Sequence, residues 1–357
     1  MKKKIFAVSD IHGHDTELKM ALDEAGFIPD DEGHLLIVCG DCFDRGNENL
    51  RVFEYLNSIQ NKILIRGNHE DMLLSVLCRA RIDANDVYNG IDRTVKDFFG
   101  TQIGRGSGRL DFTGKEDTLA ALKTHIMEMY DYFETEHYVF THGWLPTICM
   151  GAEYRISEDF RHATPDHWIR GRSMSWTRMY AGGAMLAGKT IVCGHRSSRY
   201  GCQFDPERDR DDFGIFYGNG VTAIDALTVQ SGKVNVLVIE DELLTRTHTM
   251  KLRKEPFMQI SKGKKRVELR LLDEKRQKIH VGDEIIFTEE NSGETIRAVA
   301  IGLHVYPNFD LLSWNFDNDI LGIPEDVMEI GNYMRSYYSD SDVYAYGALA
   351  IRLKILF

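Results

Sequence analysis

Five times within the first 195 residues, a short apolar run ends in a tight cluster of glycine and metal-capable side chains. The runs are 5–8, 35–39, 63–65, 138–140 and 190–192. The clusters are Ser9-Asp10-Ile11-His12-Gly13, Gly40-Asp41-Cys42-Phe43-Asp44-Arg45-Gly46, Arg66-Gly67-Asn68-His69-Glu70, Thr141-His142-Gly143 and Cys193-Gly194-His195. Apolar runs this short, bounded by turn residues, fit buried strands. Strands alternating with helices confine the chain to a layered α/β fold, where polar groups gather at the carboxyl ends of strands. The flanking glycines let the backbone turn sharply there.

Two further strands are expected at 221–224 and 234–239. Between strands lie amphipathic helices. In 15–25, Leu18, Ala21, Leu22 and Ala25 share one face, Asp15 is the expected N-cap, and Gly26 stops the helix. Leu50, Phe53 and Leu56, and Leu119, Leu122, Ile126 and Met129, form core-facing stripes. Stretches 79–118 and 196–220 are rich in Gly, Asp and Arg and lack clean periodicity. They read as long loops, of the kind that act as lids over a site. Past Met250 the pattern changes. Residues 251–265 look like a basic linker containing Pro256, followed by strand-like runs at 267–271, 284–287, 296–302 and 348–355. The expected organisation is a domain at 1–250 and a small β-rich domain at 251–357.

No run of about 18 apolar residues exists, so no membrane span is expected. Only residues 5–8 separate the basic N-terminus from Ser9-Asp10, too short a stretch for a signal peptide, which implies a cytoplasmic protein. The six cysteines are scattered, and Cys39 and Cys42 lack a second pair to complete a zinc site. They read as small buried hydrophobes. The net charge of −12 argues against a general polyanion binder. Within 262–278, however, eight basic residues face three acidic ones.

The clusters pool two Asp, three His and one Asn as candidate ligands, a donor set suited to manganese, iron or zinc rather than calcium. In this form they resemble the calcineurin-like metallophosphoesterases. The Gly-Asp-x-x-Asp-Arg-Gly and Arg-Gly-Asn-His-Glu clusters narrow the resemblance to the branch of Ser/Thr protein phosphatases and bacterial diadenosine-tetraphosphatase-like enzymes. It spans about residues 1–245. It implies an α/β (α+β) layered β-sandwich flanked by helices and two divalent metal ions per chain, manganese foremost, with iron, zinc or nickel as alternatives. Asp10, His12 and Asp41 would hold one ion; Asp41, Asn68, His142 and His195 would hold the other. His69 resembles the general acid, oriented by Asp44. Arg45 resembles the phosphate clamp, and Arg178, in Trp176-Thr177-Arg178, a second clamp. Glu70 and Arg66 look like supports behind the ligands. The implied reaction is direct attack by a metal-bridging hydroxide, with His69 protonating the leaving group.

Three departures from the family pattern stand out. Ser197 follows where many relatives outside this branch carry a second histidine. Trp144 follows Gly143 and is expected to pack rather than to stack on a base. Asp225 receives no catalytic role.

The second region, with Gly263-Lys264-Lys265-Arg266-Val267-Glu268-Leu269-Arg270-Leu271 and Val281-Gly282-Asp283, resembles an ASCH domain, a small β-barrel related to the PUA fold. The resemblance implies a cleft near the Gly-Lys-Lys segment that meets RNA or nucleotides. Lys264, Lys265, Arg266 and Arg270 supply the charge, with Tyr306 and Phe309 as stacking platforms. Some members hydrolyse modified nucleosides with a Lys, a Thr and a Glu, but Arg266 takes the expected Thr position. The sequence therefore points to a phosphoesterase acting on a nucleotide or RNA end. A Ser/Thr protein phosphatase and an RNA-binding scaffold with a vestigial metal site are the alternatives.

Overall fold

A computed structural model describes residues 2–100, 108–151, 153–324 and 327–356. The chain divides into two compact units: residues 1–157 with 169–243, and residues 158–168 with 244–357.

The first unit carries two mixed sheets. One runs in the order Leu237–Glu242, Lys2–Val8, His34–Cys39, Lys62–Ile65. The last three strands are parallel and Leu237–Glu242 is antiparallel. The second sheet runs Phe216–Gly218, Val221–Ala223, Thr190–Cys193, Tyr138–Phe140, Phe133–Glu134, parallel across its middle. Parallel strands are typically buried on both faces and read as continuous apolar runs. Here Phe6, Val8, Leu36, Val38 and Leu64 join the helical residues Leu18, Leu22, Val52 and Leu56 in one core cluster. The alternate residues Ile5, Ala7, Leu35 and Ile37 are buried as well.

Several expectations change at the local level. The helix Asp15–Glu24 is capped by His14 without a side-chain bond, and Asp15 instead takes Lys19 at 2.7 Å. The stretch read as a loop at 79–118 holds helices Ala84–Tyr88 and Ile91–Phe99 and the strand pair Arg81–Ile82 and Gly108–Arg109; its residues 101–107 lie outside the described residues. Ile91, Val95, Phe98 and Phe99, at helical spacing, are all buried. The Gly/Asp/Arg-rich 196–220 stretch holds the short helix Ser198–Gln203 and the edge strand Phe216–Gly218. A hairpin of Thr147–Met150 and Glu153–Ile156 leaves Ile148 and Met150 more than half exposed. Both faces of such a strand lack the burial that makes alternation visible in sequence.

The second unit is a curled half-barrel of five strands, in the order Thr247–Leu252, Glu284–Glu289, Thr295–Tyr306, Ala348–Leu356, Val267–Leu271. A register shift between Ala300 and Gly302 bends the long central pair. The expected linker at 251–265 is instead the end of a strand and the helix Lys254–Ser261. Pro256 sits in the first turn of that helix, where a missing N–H removes no helical bond. Residues 158–168 complete the unit: His304, fully buried, donates through Nδ1 to the Ala163 carbonyl at 2.7 Å, and Phe160 meets Trp168 edge-on.

Among the described residues no helix is long and apolar enough to cross a membrane.

Trp168 is 0% exposed. Trp168→Ala is expected to cost about 3–5 kcal/mol, the range for emptying a buried aromatic site, as a lowered urea midpoint. An unchanged midpoint would refute its place in the core.

Candidate active site

All five clusters leave the carboxyl ends of parallel strands of the first unit. Asp10 and His12 follow Lys2–Val8, Asp41 and Asp44 follow His34–Cys39, and Asn68 opens the helix Asn68–Arg79 just past Lys62–Ile65. His142 and His195 follow Tyr138–Phe140 and Thr190–Cys193. The approach is close. A Cβ on Gly40, whose φ is +79°, would lie 2.7 Å from both the Gly67 Cα and His142 Nδ1.

Asp41 is the hub. Its Oδ1 accepts the His69 N–H at 3.0 Å and lies 3.3 Å from His142 Nε2. Its Oδ2 lies 3.7 Å from His12 Nε2 and 3.9 Å from His69 Nε2. Asp10 Oδ1 is 3.9 Å from His12 Nε2, and Oδ2 accepts from the Ser9 hydroxyl and the His195 N–H. Nδ1 of His12 donates to the Phe43 carbonyl, and Nδ1 of His142 to that of Cys39, which turns each Nε2 inward. Asn68 Oδ1 stands 3.0 Å from His142 Nε2. Ligand atoms of Asp41, His142 and His195 lie within 4.8 Å of one another, as do those of His12, Asp41 and His69. The donor set and its convergence fit a divalent cation.

The buried charges of the cluster set one another's protonation. Burial works against charge on His142, but Asp41 and Asp10 outweigh it and push its pKa up to about 10. Burial raises Asp41 too, yet His142 and His69 hold it well below the usual carboxylate range. Burial lifts Asp10, and it lowers both His12 and His195, the latter to about 4 with help from His142. Lowered pKa values keep His12 and His195 neutral, as metal ligands must be, whereas His142 would have to give up its proton to an incoming ion.

His69 is 1% exposed and donates through Nδ1 to Asp44 Oδ2 at 2.8 Å. Burial opposes its charge, but Asp41 and Asp44 outweigh burial and raise its pKa. The Arg45 guanidinium stands beside Nε2 of both His12 and His69, at 3.2 and 2.9 Å. Glu70 accepts N–H groups of Gly67, Asp41 and Cys42, fixing the turn that presents Asp41. Burial pushes the Glu70 carboxyl up to about 7, while those amides pull it down. Arg66 pairs with Asp71 at 2.6 Å.

Arg178 lies with its guanidinium 5.0 Å from the Tyr154 ring centroid and bonds the Tyr154 hydroxyl. Trp144 is fully buried and donates to the Ala184 carbonyl at 3.2 Å, so it packs, as expected. Ser197 caps the turn at Arg199. Asp225 accepts the Leu227 N–H at 2.6 Å. Cys39, Cys42 and Cys193 are free buried thiols, each pushed up by burial.

Thr94 had no role in the sequence reading. Its hydroxyl donates to Asp44 Oδ1 at 2.5 Å and accepts the Asp44 N–H at 3.0 Å, completing a Thr94–Asp44–His69 chain. It lies on the helix hidden in the 79–118 stretch.

In the second unit, a cavity of about 790 Å³ is lined by Lys251, Arg253, Arg276, Lys278 and Tyr337, among others. Lys264 is exposed and Arg266 half-buried. Lys265 is buried, donating to the Leu321 carbonyl at 2.6 Å and lying 3.4 Å from Glu268; Arg270 meets Glu268 at 2.6 Å. Of the four residues expected to charge a cleft, Lys265 and Arg270 line the cavity and are paired with Glu268. Tyr306 and Phe309 are core residues, 4% and 2% exposed, and not open stacking platforms.

Residues 3–224 match the family described as calcineurin-like phosphoesterase, and residues 250–355 match the ASCH domain. Over 85 residues the chain is 34% identical to the symmetrical bis(5'-nucleosyl)-tetraphosphatase of Buchnera aphidicola subsp. Schizaphis graminum, covering 24% of this chain and 30% of that one. Over 72 residues it is 43% identical to serine/threonine-protein phosphatase 2 of Salmonella typhimurium, covering 20% and 32%. The chain thus spans under a third of the length of these curated relatives. Among solved structures, the cold-active protein-tyrosine phosphatase of a psychrophilic Shewanella is similar over 66% of this chain and 75% of that one, at 17% identity and a TM-score of 0.40.

Thr94→Val keeps the shape of the side chain and removes the hydroxyl from a buried carboxylate. A hydrogen bond to a charged group contributes about 1.5–3 kcal/mol, so a stability loss of that size is expected in chemical denaturation. No measurable loss would show that Asp44 does not depend on Thr94.

Proposed function

We propose that this chain, which belongs to the calcineurin-like phosphoesterase family, is a dinuclear-metal-dependent hydrolase of phosphomonoester or phosphoanhydride bonds in a nucleotide or RNA-end substrate. Asp10, His12 and Asp41 would hold one divalent ion, and Asp41, Asn68, His142 and His195 the other, with Asp41 shared. Manganese suits these donors first, and iron, zinc or nickel are alternatives. When bound, such a pair of ions activates water and neutralises the oxygens of a phosphoryl group.

The observation that carries the reading is that donors converge on one carboxylate, Asp41, from two sides: His142 and His195 within 4.8 Å on one, and on the other His12, whose Nε2 also lies 3.9 Å from Asp10 Oδ1. The chain's own residues supply the rest. Arg45, aimed by its two contacts at the histidine edges, has the planar fork that binds two phosphoryl oxygens. His69 would give its proton to the leaving oxygen; Asp44 keeps that proton on call by favouring the charged ring. Arg178 would join as a second clamp on leaving Tyr154. Glu70 and Arg66 hold the ligand-bearing turns. The charged and tyrosine-lined cavity of the second unit supports recruitment of a nucleotide or RNA segment, with Lys264 and Arg266 at the surface and Lys265 and Arg270 inside. A phosphorylated nucleotide or RNA is the partner this reading requires.

A Ser/Thr protein phosphatase is the second reading, supported by the 72-residue likeness to the Salmonella enzyme. A panel of p-nitrophenyl phosphate, dinucleoside polyphosphates, cyclic nucleotides, RNA ends and phosphopeptides, assayed with Mn²⁺, separates the two. Nucleotide or RNA-end turnover is expected to dominate. Dominant phosphopeptide turnover selects the second reading, and no hydrolysis at all leaves the RNA-binding scaffold. Within the active case, His69→Asn is expected to lower kcat by about 10²–10⁴-fold, the usual contribution of a positioned acid. Its KM should change little, and full kcat in that variant would rule out His69 as the acid.

A further inference from the structure

Arg172 is a charged side chain only 2% exposed that the chemistry above does not use. Its Nε and one terminal nitrogen donate to the two oxygens of Asp71, at 2.7 and 3.2 Å. Its other terminal nitrogen donates to Asp131 at 3.2 Å. Asp71 also pairs with Arg66, so two guanidinium groups face two carboxylates. Asp71 lies in the first turn of the helix that opens on Asn68 and His69. Through its side chain, then, Arg172 grips the helix that presents two residues of the site.

Its main chain grips a different element. The Gly171 carbonyl accepts the Trp144 N–H at 2.8 Å. A Cβ on Gly143 would come within 2.3 Å of the Arg172 carbonyl oxygen, so the turn after His142 lies flat against this residue. Residues 171 and 172 therefore touch the His142 turn and the Asn68 helix at once. The two donors those elements supply, His142 Nε2 and Asn68 Oδ1, stand 3.0 Å apart.

We propose that Arg172 is a positioning residue that fixes the spacing between His142 and Asn68, and through it the affinity of the site for the ion those two would share. The proposal rests on the metal-centre reading above. It requires a guanidinium, because only a planar fork can hold both Asp71 oxygens while a third donor reaches Asp131. A lysine keeps the charge and loses that geometry.

The test uses the full-length chain stripped of metal, with Mn²⁺ binding followed by calorimetry. Arg172→Lys is expected to weaken Mn²⁺ binding by about 10–100-fold, the usual effect of removing a support behind a metal ligand. With p-nitrophenyl phosphate, kcat should recover toward wild type as Mn²⁺ is raised to saturation, with KM unchanged. Asp131→Asn, nearly isosteric and milder, should weaken Mn²⁺ binding in the same direction and decides the matter if Arg172→Lys does not fold. Lys189→Met is the control: it breaks the Lys189–Glu134 pair of the same unit, 2.9 Å long, and should lower the melting temperature without changing Mn²⁺ affinity. Folded Arg172→Lys and Asp131→Asn with wild-type Mn²⁺ affinity overturn the proposal, as does Lys189→Met weakening Mn²⁺ equally. Wild-type protein that takes up no Mn²⁺ overturns the metal-centre reading and this proposal together.

Discussion

Two carboxylates, Asp10 and Asp41, are buried to 3% and 2% exposure at the ends of neighbouring parallel strands, and much of the first unit is arranged around that fact. An ionised carboxylate out of water is costly unless it is paired and hydrogen-bonded. Here each donor that compensates it comes mainly from another strand end. His195 and Ser9 serve Asp10, and His69 and His142 serve Asp41. A positive charge on His142, stabilised to a pKa of about 10, partly balances the cluster. A divalent cation at the same point would answer the same excess of negative charge, and it would release that proton.

Convergence of this kind strains the backbone. Among the described residues, eight non-glycine positions have positive φ, and six of them are Asp10, His12, Asp41, Asp44, Arg45 and His195. Such conformations cost on the order of 1–3 kcal/mol each and persist where the surroundings over-determine them. The surroundings here are a backbone ladder between two turns: Asp10 N–H to the Gly40 carbonyl, His12 N–H to Asp41, and Gly13 N–H to Cys42. Glu70 locks the second of these turns from behind through the Asp41 and Cys42 amides and ties it to the Gly67 turn through a third. The strain thus falls on the residues that must point inward, and main-chain bonds made by those residues and their neighbours offset it.

This explains what could be read from the sequence. A short apolar run that stops at glycine and an acidic or imidazole side chain is a local signal. It survives because parallel strands are apolar along their whole length. The strands before Asp10, Asp41, Asn68, His142 and His195 were therefore legible, and so was the small group of side chains they carry. What stayed hidden depends on tertiary partners. Thr94 is an ordinary helical residue until Asp44 meets it, and its helix was masked by the Gly and Asp around it, although Ile91, Val95, Phe98 and Phe99 keep helical spacing. Arg172 lies about 100 residues from Asp71, and nothing local marks their pairing. The helix Lys254–Ser261 was concealed by a proline that its first turn tolerates.

The second unit shows the same limit from the charge side. The basic residues of 264–270 suggested charge for a cleft that meets RNA or nucleotides, yet a count of charges does not reveal which of them pair internally. Lys265 and Arg270 turn inward onto Glu268, and burial lowers the Lys265 pKa while Glu268 opposes the change. A buried Lys–Glu–Arg set is costly to assemble and poorly suited to binding a flexible polyanion, which needs many exposed cations. Its fixed donors and acceptor line a cavity of about 790 Å³, a size that suits a small compact group rather than a backbone. Recognition by this unit would then depend on the shape and hydrogen-bonding edge of what enters, and Lys264 and Arg266 near its surface would add only a salt-sensitive increment.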